Sequence, residues 1–310
     1  MISIFRLFAV GLLTACSSGN GSGVSASHQP PPPSNTPDNP IDLGDVMSTE
    51  GPPQALQVTL PTGFAAATGA KSGADTAQLK GGWRVVGPLS KVPETANGSC
   101  ANVLRVLMRD FATFKHPDFG GAKNPQNALG LVSSVLGMGR KPTRTSAYPD
   151  VAVKFDDWYA TIAGTNVAYV VDLWLEPVGA SFVLDSSRFF PLDGVASAEA
   201  KQSDDDGQPR NFGFTTELHT AFRYKGGEVF TFRGDDDVFV FIDGKLVVDI
   251  GGVHGPTEGT VAIDSLKLTS GSVYQLDLFQ AERNPTGSNF RIDTTLDFAD
   301  CGEIVADVPK

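Results

Sequence analysis

Apolar and polar residues alternate over short stretches of the chain, and Gly, Pro, Asn and Asp separate these stretches. A two-residue alternation sends successive side chains to opposite faces of a strand. It is cleanest in Asn289–Phe298, where Phe290, Ile292, Thr294, Leu296 and Phe298 share one face and Arg291, Asp293, Thr295 and Asp297 the other. Further strands are predicted over Asn102–Asp110, Ala168–Leu175, Phe212–Phe222, Thr260–Asp264 and Ser272–Gln280. The densest block is Glu228–Gly252, in which Val229–Arg233, Val238–Ile242 and Lys245–Ile250 are separated by Gly234–Asp237 and by Asp243-Gly244. An Asp-Gly pair between two apolar runs predicts a two-residue hairpin, because both turn residues must accept positive φ. Helical periodicity is confined to segments such as Pro125–Leu136 and Phe155–Ile162. The pattern predicts an all-β chain, an antiparallel β-sandwich with a few short helices. Residues 54–99 mix strand-like pieces, Ala55–Leu60 and Trp83–Val86, with Gly/Ala/Ser-rich sequence and receive no role.

Composition narrows the class. With 34 Gly, 21 Pro and 20 Phe in 310 residues, the chain is loop-rich and still holds enough apolar bulk for a core. Its 24 basic and 35 acidic residues give a net charge of −11, which argues against nucleic acid as a partner. Residues 16–53 are Ser/Gly-rich, then Pro-rich, with almost nothing apolar at regular spacing, and are expected to be a disordered tether.

The first residues carry one charge at Arg6, an apolar run Leu7–Leu13, and then Leu13-Thr14-Ala15-Cys16. The run is too short to span a bilayer and has the layout of a secretory signal over 1–15. Its last four residues resemble the lipobox of bacterial lipoproteins, which implies lipidation at Cys16 and membrane attachment through that anchor alone. Ser17 in place of Asp favours the outer membrane by the same resemblance. Cys100 and Cys301 then remain, and in an oxidising envelope such a pair is most simply a disulfide. A loop of about 200 residues sets the chain-entropy gain near 5 kcal/mol as an upper figure.

Residues 234–255, from Gly234-Asp235-Asp236-Asp237 through Ile242-Asp243-Gly244 to His254-Gly255, resemble the core of the fibro-slime domain, an extracellular relative of PA14 modules. Matching pieces occur in order at Arg109-Asp110-Phe111, His116–Phe119, Phe155–Tyr159, Phe189–Gly194, Glu217-Leu218-His219, Ala281-Glu282-Arg283 and Gly287–Arg291, so the resemblance spans about 100–301 and leaves 302–310 as a tail. It implies a PA14-like sandwich. In the yeast adhesin branch of that superfamily, two consecutive Asp residues joined by a cis peptide hold calcium, through which sugars bind. Asp235 and Asp236 stand at the matching positions, and the second loop, Glu282–Asn289, offers Asn284, Ser288 and Asn289 as oxygen donors. Asp237 departs from that pattern, which often has a small residue there. His254, flanked by glycines, is a candidate for the border of a ligand loop.

The residues themselves leave two readings open. Three adjacent carboxylates repel one another unless a cation or basic groups compensate, and calcium accepts six to eight hard oxygens in irregular geometry. The other reading is a solvated turn paired with Arg233 or Arg291. Asp204-Asp205-Asp206 lacks EF-hand spacing and is expected to be a solvated loop. No His-Glu-x-x-His, paired Cys-x-x-Cys or Gly-x-Ser-x-Gly occurs, so His116 and His219 have no catalytic setting. Asp235 with Glu282 is the one carboxylate pair to test for glycoside hydrolysis. Trp158, Tyr159 and Trp174 are open to sugar stacking or to the core. The chain is therefore expected to bind rather than catalyse, at an envelope surface, with an extracellular glycan or matrix component as partner. A self-assembling matrix protein is the alternative.

Overall fold

The computed structural model describes residues 59–68, 79–92, 102–111, 116–119, 127–195, 202–305 and 307, all within the unit Leu56–Lys310. The expected signal, the tether, Cys16 and Cys100 lie outside these residues. Among the described residues no helix is long and apolar enough to cross a membrane.

Sixteen strands are described. The first six are β1 (Ala65–Ala66), β2 (Gly82–Pro88), β3 (Val103–Phe111), β4 (Asn166–Trp174), β5 (Glu176–Val178) and β6 (Ser181–Ser186). Next come β7 (Gln202–Ser203), β8 (Pro209–Arg210), β9 (Phe214–Arg223), β10 (Val229–Gly234) and β11 (Asp237–Ile242). The last are β12 (Lys245–Ile250), β13 (Thr257–Ala262), β14 (Val273–Glu282), β15 (Phe290–Thr294) and β16 (Asp297–Phe298). A large sheet runs β1-β2-β4-β3-β9-β14-β11-β12, with β16 also on β9, and faces a smaller sheet ordered β13-β10-β15-β6-β5. Strands β7 and β8 form a separate hairpin. All pairings between named strands are antiparallel, as the alternation predicts.

The pleat explains where each side chain goes. Along β11, Val238, Val240 and Ile242 enter the core between the sheets, while Phe239 and Phe241 point to the opposite face. On β14, Leu276 and Leu278 face inward and Phe279 and Ala281 outward. The outward set is itself covered, by Phe119, Leu131, Val132, Phe155, Trp158 and Tyr159 of the excursion between β3 and β4. A strand buried on both faces needs apolar residues at every position, hence the unbroken Val238–Ile242 run. The Asp243-Gly244 turn forms as expected, with φ of 51° and 72°.

Three expectations change. Within the predicted helix Pro125–Leu136, residues 127–136 carry no helix: their backbone pairs with β12 and with Arg144, and Leu131 and Val132 supply the outer core. The predicted helix Phe155–Ile162 shrinks to α1 (Phe155–Trp158). The single strand read over Asn289–Phe298 is two, because the chain leaves the small sheet after Thr294 and joins β9 at Asp297. The crossing is anchored by Leu296, which is fully buried.

Candidate functional site

Three connections cross between the sheets at one end of the sandwich. Asp235-Asp236 links β10 of the small sheet to β11 of the large one, 251–256 links β12 to β13, and 283–289 links β14 to β15. Gly234 lets two of them touch, since a Cβ there would stand 2.6 Å from Phe232 and 2.8 Å from the Asn289 carbonyl. The peptide bond between Asp235 and Asp236 is cis.

Asp235 accepts the Asn289 backbone N–H at Oδ1 and the Asn289 side-chain amide at Oδ2, 2.7 Å away. Asp236 accepts the backbone N–H groups of Arg283 (3.0 Å) and Asn284 (2.8 Å) on Oδ2, and that of His254 (3.3 Å) on Oδ1. One carboxylate thus ties all three crossings together. Each carboxylate has about four lone-pair sites, so neither Asp is saturated by these bonds. The mouth above them is a cleft of about 360 Å³ lined by Asp205, Asp235, Asp236, His254, Asn284 and Asn289, among others.

The solvated-turn reading fails here. Asp235 and Asp236 are 6% and 3% exposed, while Arg233 and Arg291 pair with Asp185. Asp237 and Ser288 do not reach the cleft. Asp237 is fully buried, bound by Arg283 Nε at 2.6 Å and the Gly252 N–H at 2.7 Å, and Ser288 donates to the Phe189 carbonyl at 2.9 Å. The Arg283 guanidinium lies 4.7 Å from the Trp158 ring centroid. Trp158, Tyr159 and Trp174 are all core residues, which removes them as sugar-stacking platforms.

Sequence reasoning undervalued Glu282. It is 1% exposed, and its Oε2 has no hydrogen-bond partner. Burial, then the Asp236 and Asp235 charges, push its pKa well above the usual carboxylate range. Burial raises Asp236 likewise, with Asp237 and Asp235 adding to the shift and Arg283 opposing it. Burial raises Asp235 against the hydrogen bonds of Asn289. Three neighbouring buried acids therefore share too little positive charge. Glu282 does not line the cleft, so it is not placed opposite Asp235 across a glycosidic bond.

Asp204 is also not the solvated residue expected. It is 7% exposed. Although burial opposes ionisation, the Gln208 N–H, Arg210 and Arg188 bring its pKa down to about 2.

Residues 197–309 match the PA14 domain. The PA14 segment thus contains all three crossings. Over 213 residues the chain is 37% identical to the Dictyostelium discoideum protein psiR, covering 63% of this chain and 21% of psiR. It is 34% identical over 212 residues to psiC of the same organism, covering 62% of this chain and 40% of psiC. The chain thus spans less than half the length of either relative. A solved structure described as the PA14 sugar-binding domain from an RTX adhesin aligns at 12% identity and a TM-score of 0.29, covering 66% of this chain and 99% of that one. The match is to PA14 and to the psi proteins; fibro-slime is the narrower name read from the motifs.

Among the described residues, no three His, Cys, Asp or Glu side chains form a metal-holding group. A cation held at this end would draw on Asp235 and Asp236 together with amide and carbonyl oxygens. Such a set of hard oxygens suits calcium, and the buried Glu282 beside it keeps one oxygen, Oε2, without a hydrogen-bond partner.

Proposed function

We propose that this protein is a cell-surface binding module that recognises carbohydrate through calcium held by Asp235 and Asp236. The observation that carries this reading is the convergence of three sheet-crossing loops on two buried adjacent carboxylates, beside a third at Glu282 whose Oε2 has no hydrogen-bond partner. The PA14 match over 197–309 supports a binding role for that segment. Asn284 and Asn289 complete the donor set, and His254 and Asp205 border the cleft. Bound there, calcium offers open coordination positions to vicinal hydroxyls. The backbone N–H groups of residues 254, 283, 284 and 289 hold both aspartates in place before any ligand arrives, which lowers the ordering cost of binding.

Calorimetry and a glycan array with and without chelator test this reading. The wild type takes up calcium at or below millimolar concentration, and its glycan signal disappears in chelator. Asp235→Asn loses measurable uptake, and Glu282→Gln weakens it about 10- to 100-fold, as outer-shell changes do. No heat of uptake at millimolar calcium sinks the calcium reading. A flat array together with concentration-dependent self-association favours a matrix protein.

We further propose attachment to the outer membrane through lipidated Cys16, with 16–53 as a spacer and Cys100–Cys301 as a disulfide. The Cys301 carbonyl accepts the Arg105 N–H on β3, the strand that starts three residues after Cys100. Cells fed labelled palmitate incorporate label into the wild type and not into Cys16→Ser; equal labelling of both rejects the anchor.

A further inference from the structure

The β7–β8 turn was expected to be plain solvated loop, yet it forms one wall of the cleft. Its Asp205 N–H donates to the Thr286 carbonyl at 2.8 Å, and Asp205, exposed at the tip, lines the mouth with Asp235 and Asp236. The tip is held from within. Asp204 Oδ1 accepts the N–H groups of Asp206 (3.0 Å) and Gln208 (2.8 Å), its backbone N–H reaches the Gln208 carbonyl at 2.9 Å, and its carbonyl receives the Gly207 N–H at 2.8 Å. Gly207 takes the positive φ of 72° that the turn needs.

The cations around this wall are committed elsewhere. Arg188 binds Asp204 and Asp206, Arg210 binds Asp193 at 2.9 Å and Asp204 at 3.0 Å, and Arg283 binds Asp237 at 2.6 Å. Among the described residues no salt bridge reaches Asp205, and His254 is the one titratable base lining the cleft. A dication on Asp235 and Asp236 balances those two charges and leaves Asp205 facing the ligand.

We propose that Asp205, carried on the braced β7–β8 turn across the cleft mouth, selects neutral and amino-bearing sugars against carboxylated ones. A hydroxyl or ammonium donates to its carboxylate in a charge-assisted hydrogen bond. A sugar carboxylate placed there meets a like charge in a partly desolvated cleft, a juxtaposition that costs enough to change affinity at least tenfold. This inference rests on the carbohydrate reading above and adds the ligand class.

The test uses the full chain in millimolar calcium and immobilised monosaccharides of gluco, galacto and manno configuration. Each is presented as the neutral hexose, the 2-amino sugar and the 6-carboxylate. For whichever configuration binds, the wild type holds the hexose at least about tenfold more tightly than its 6-carboxylate. Asp205→Asn cuts that ratio to about threefold or less, and Asp205→Lys inverts it, with melting temperatures near that of the wild type because the side chain is exposed. An unchanged ratio in both variants, with hexose binding intact, overturns the role of Asp205. If the wild type binds none of the sugars in calcium, the carbohydrate reading itself falls and takes this inference with it.

Discussion

Arg283→Met lowers the unfolding free energy by about 3–5 kcal/mol, because it strands the buried Asp237 carboxylate without its countercharge. Both side chains are wholly inaccessible to solvent, and the Nε to Oδ2 distance is 2.6 Å. Burial raises the Asp237 pKa, and Arg283 is the strongest influence against that rise. In a domain of this size the loss appears as a fall in melting temperature of roughly 10 °C. Asp237→Asn in the same chain removes the stranded charge, so the double variant recovers most of the difference, and the coupling between the two sites exceeds about 1 kcal/mol. Urea titrations of the four proteins in the cycle measure it. A single Arg283→Met variant within 1 kcal/mol of the wild type would show that the pair does not hold this end of the sandwich. The same arginine ties stability to the site, since its backbone N–H also donates to Asp236.

The strands were legible because alternation is a local property. The cleft was legible only where a motif marked it. Asp243-Gly244 announced its turn, and Gly234–Asp237 its unusual run of acids, since each feature is written within a few adjacent residues. Burial and partner choice depend on which strands cross between the sheets. Nothing local distinguishes Asp237, which begins β11 inside the barrier between cleft and core, from Asp235 and Asp236 just before it. Ser288 likewise reads as a loop oxygen until Phe189 is found against it. The lone Arg283 after Glu282 was the available sign that a buried acid needed a countercharge nearby. Asp204 was misread as solvated for a related reason: it is fixed by Arg188 and Arg210, 16 and 6 residues away. The helix expected over 125–136 gave way over the described residues 127–136 by the same mechanism, as 3.6-residue spacing of apolar groups also serves an irregular segment laid over an already formed sheet.

Two histidines outside the cleft contribute opposite pH dependences to stability. On the outward face of β9, His219 Nδ1 lies 2.6 Å from Asp277 Oδ1, and its Nε2 bonds Glu217. With both ring nitrogens on carboxylates, the imidazolium is the favoured form. Arg109 binds Glu217 at 2.6 Å and Asp307 at 3.1 Å, Lys141 also reaches Glu217, and Arg140 bridges Asp277 to Glu303. Burial works against the charged ring, but Asp277 and Glu217 outweigh it and raise its pKa above 6.5. The folded state then binds more protons than the unfolded chain. Its contribution is complete below 6.5 and declines as pH rises through the folded value, at a limit of about 1.4 kcal/mol per pH unit. His116 behaves oppositely: burial lowers its pKa, despite Asp118 and Asp157, so stability falls as pH drops below 6.5. Lys141, lowered chiefly by burial and then by Arg109, contributes a gain only toward its ordinary value of 10.5, outside this window. The raised Asp235, Asp236, Asp237 and Glu282 carboxyls add a decline of their own with rising pH, so denaturation at pH 5.5, 6.5, 7.5 and 8.5 reads each histidine as the difference between wild type and variant. His219→Gln makes the decline above pH 6.5 shallower than in the wild type and costs about 2–4 kcal/mol at pH 6, where two buried carboxylates lose a shared cation. His116→Phe changes the slope only below pH 6.5, where it removes the loss of stability that protonating the buried ring causes. A slope above pH 6.5 that is the same in His219→Gln as in the wild type removes the imidazolium from the centre of this network.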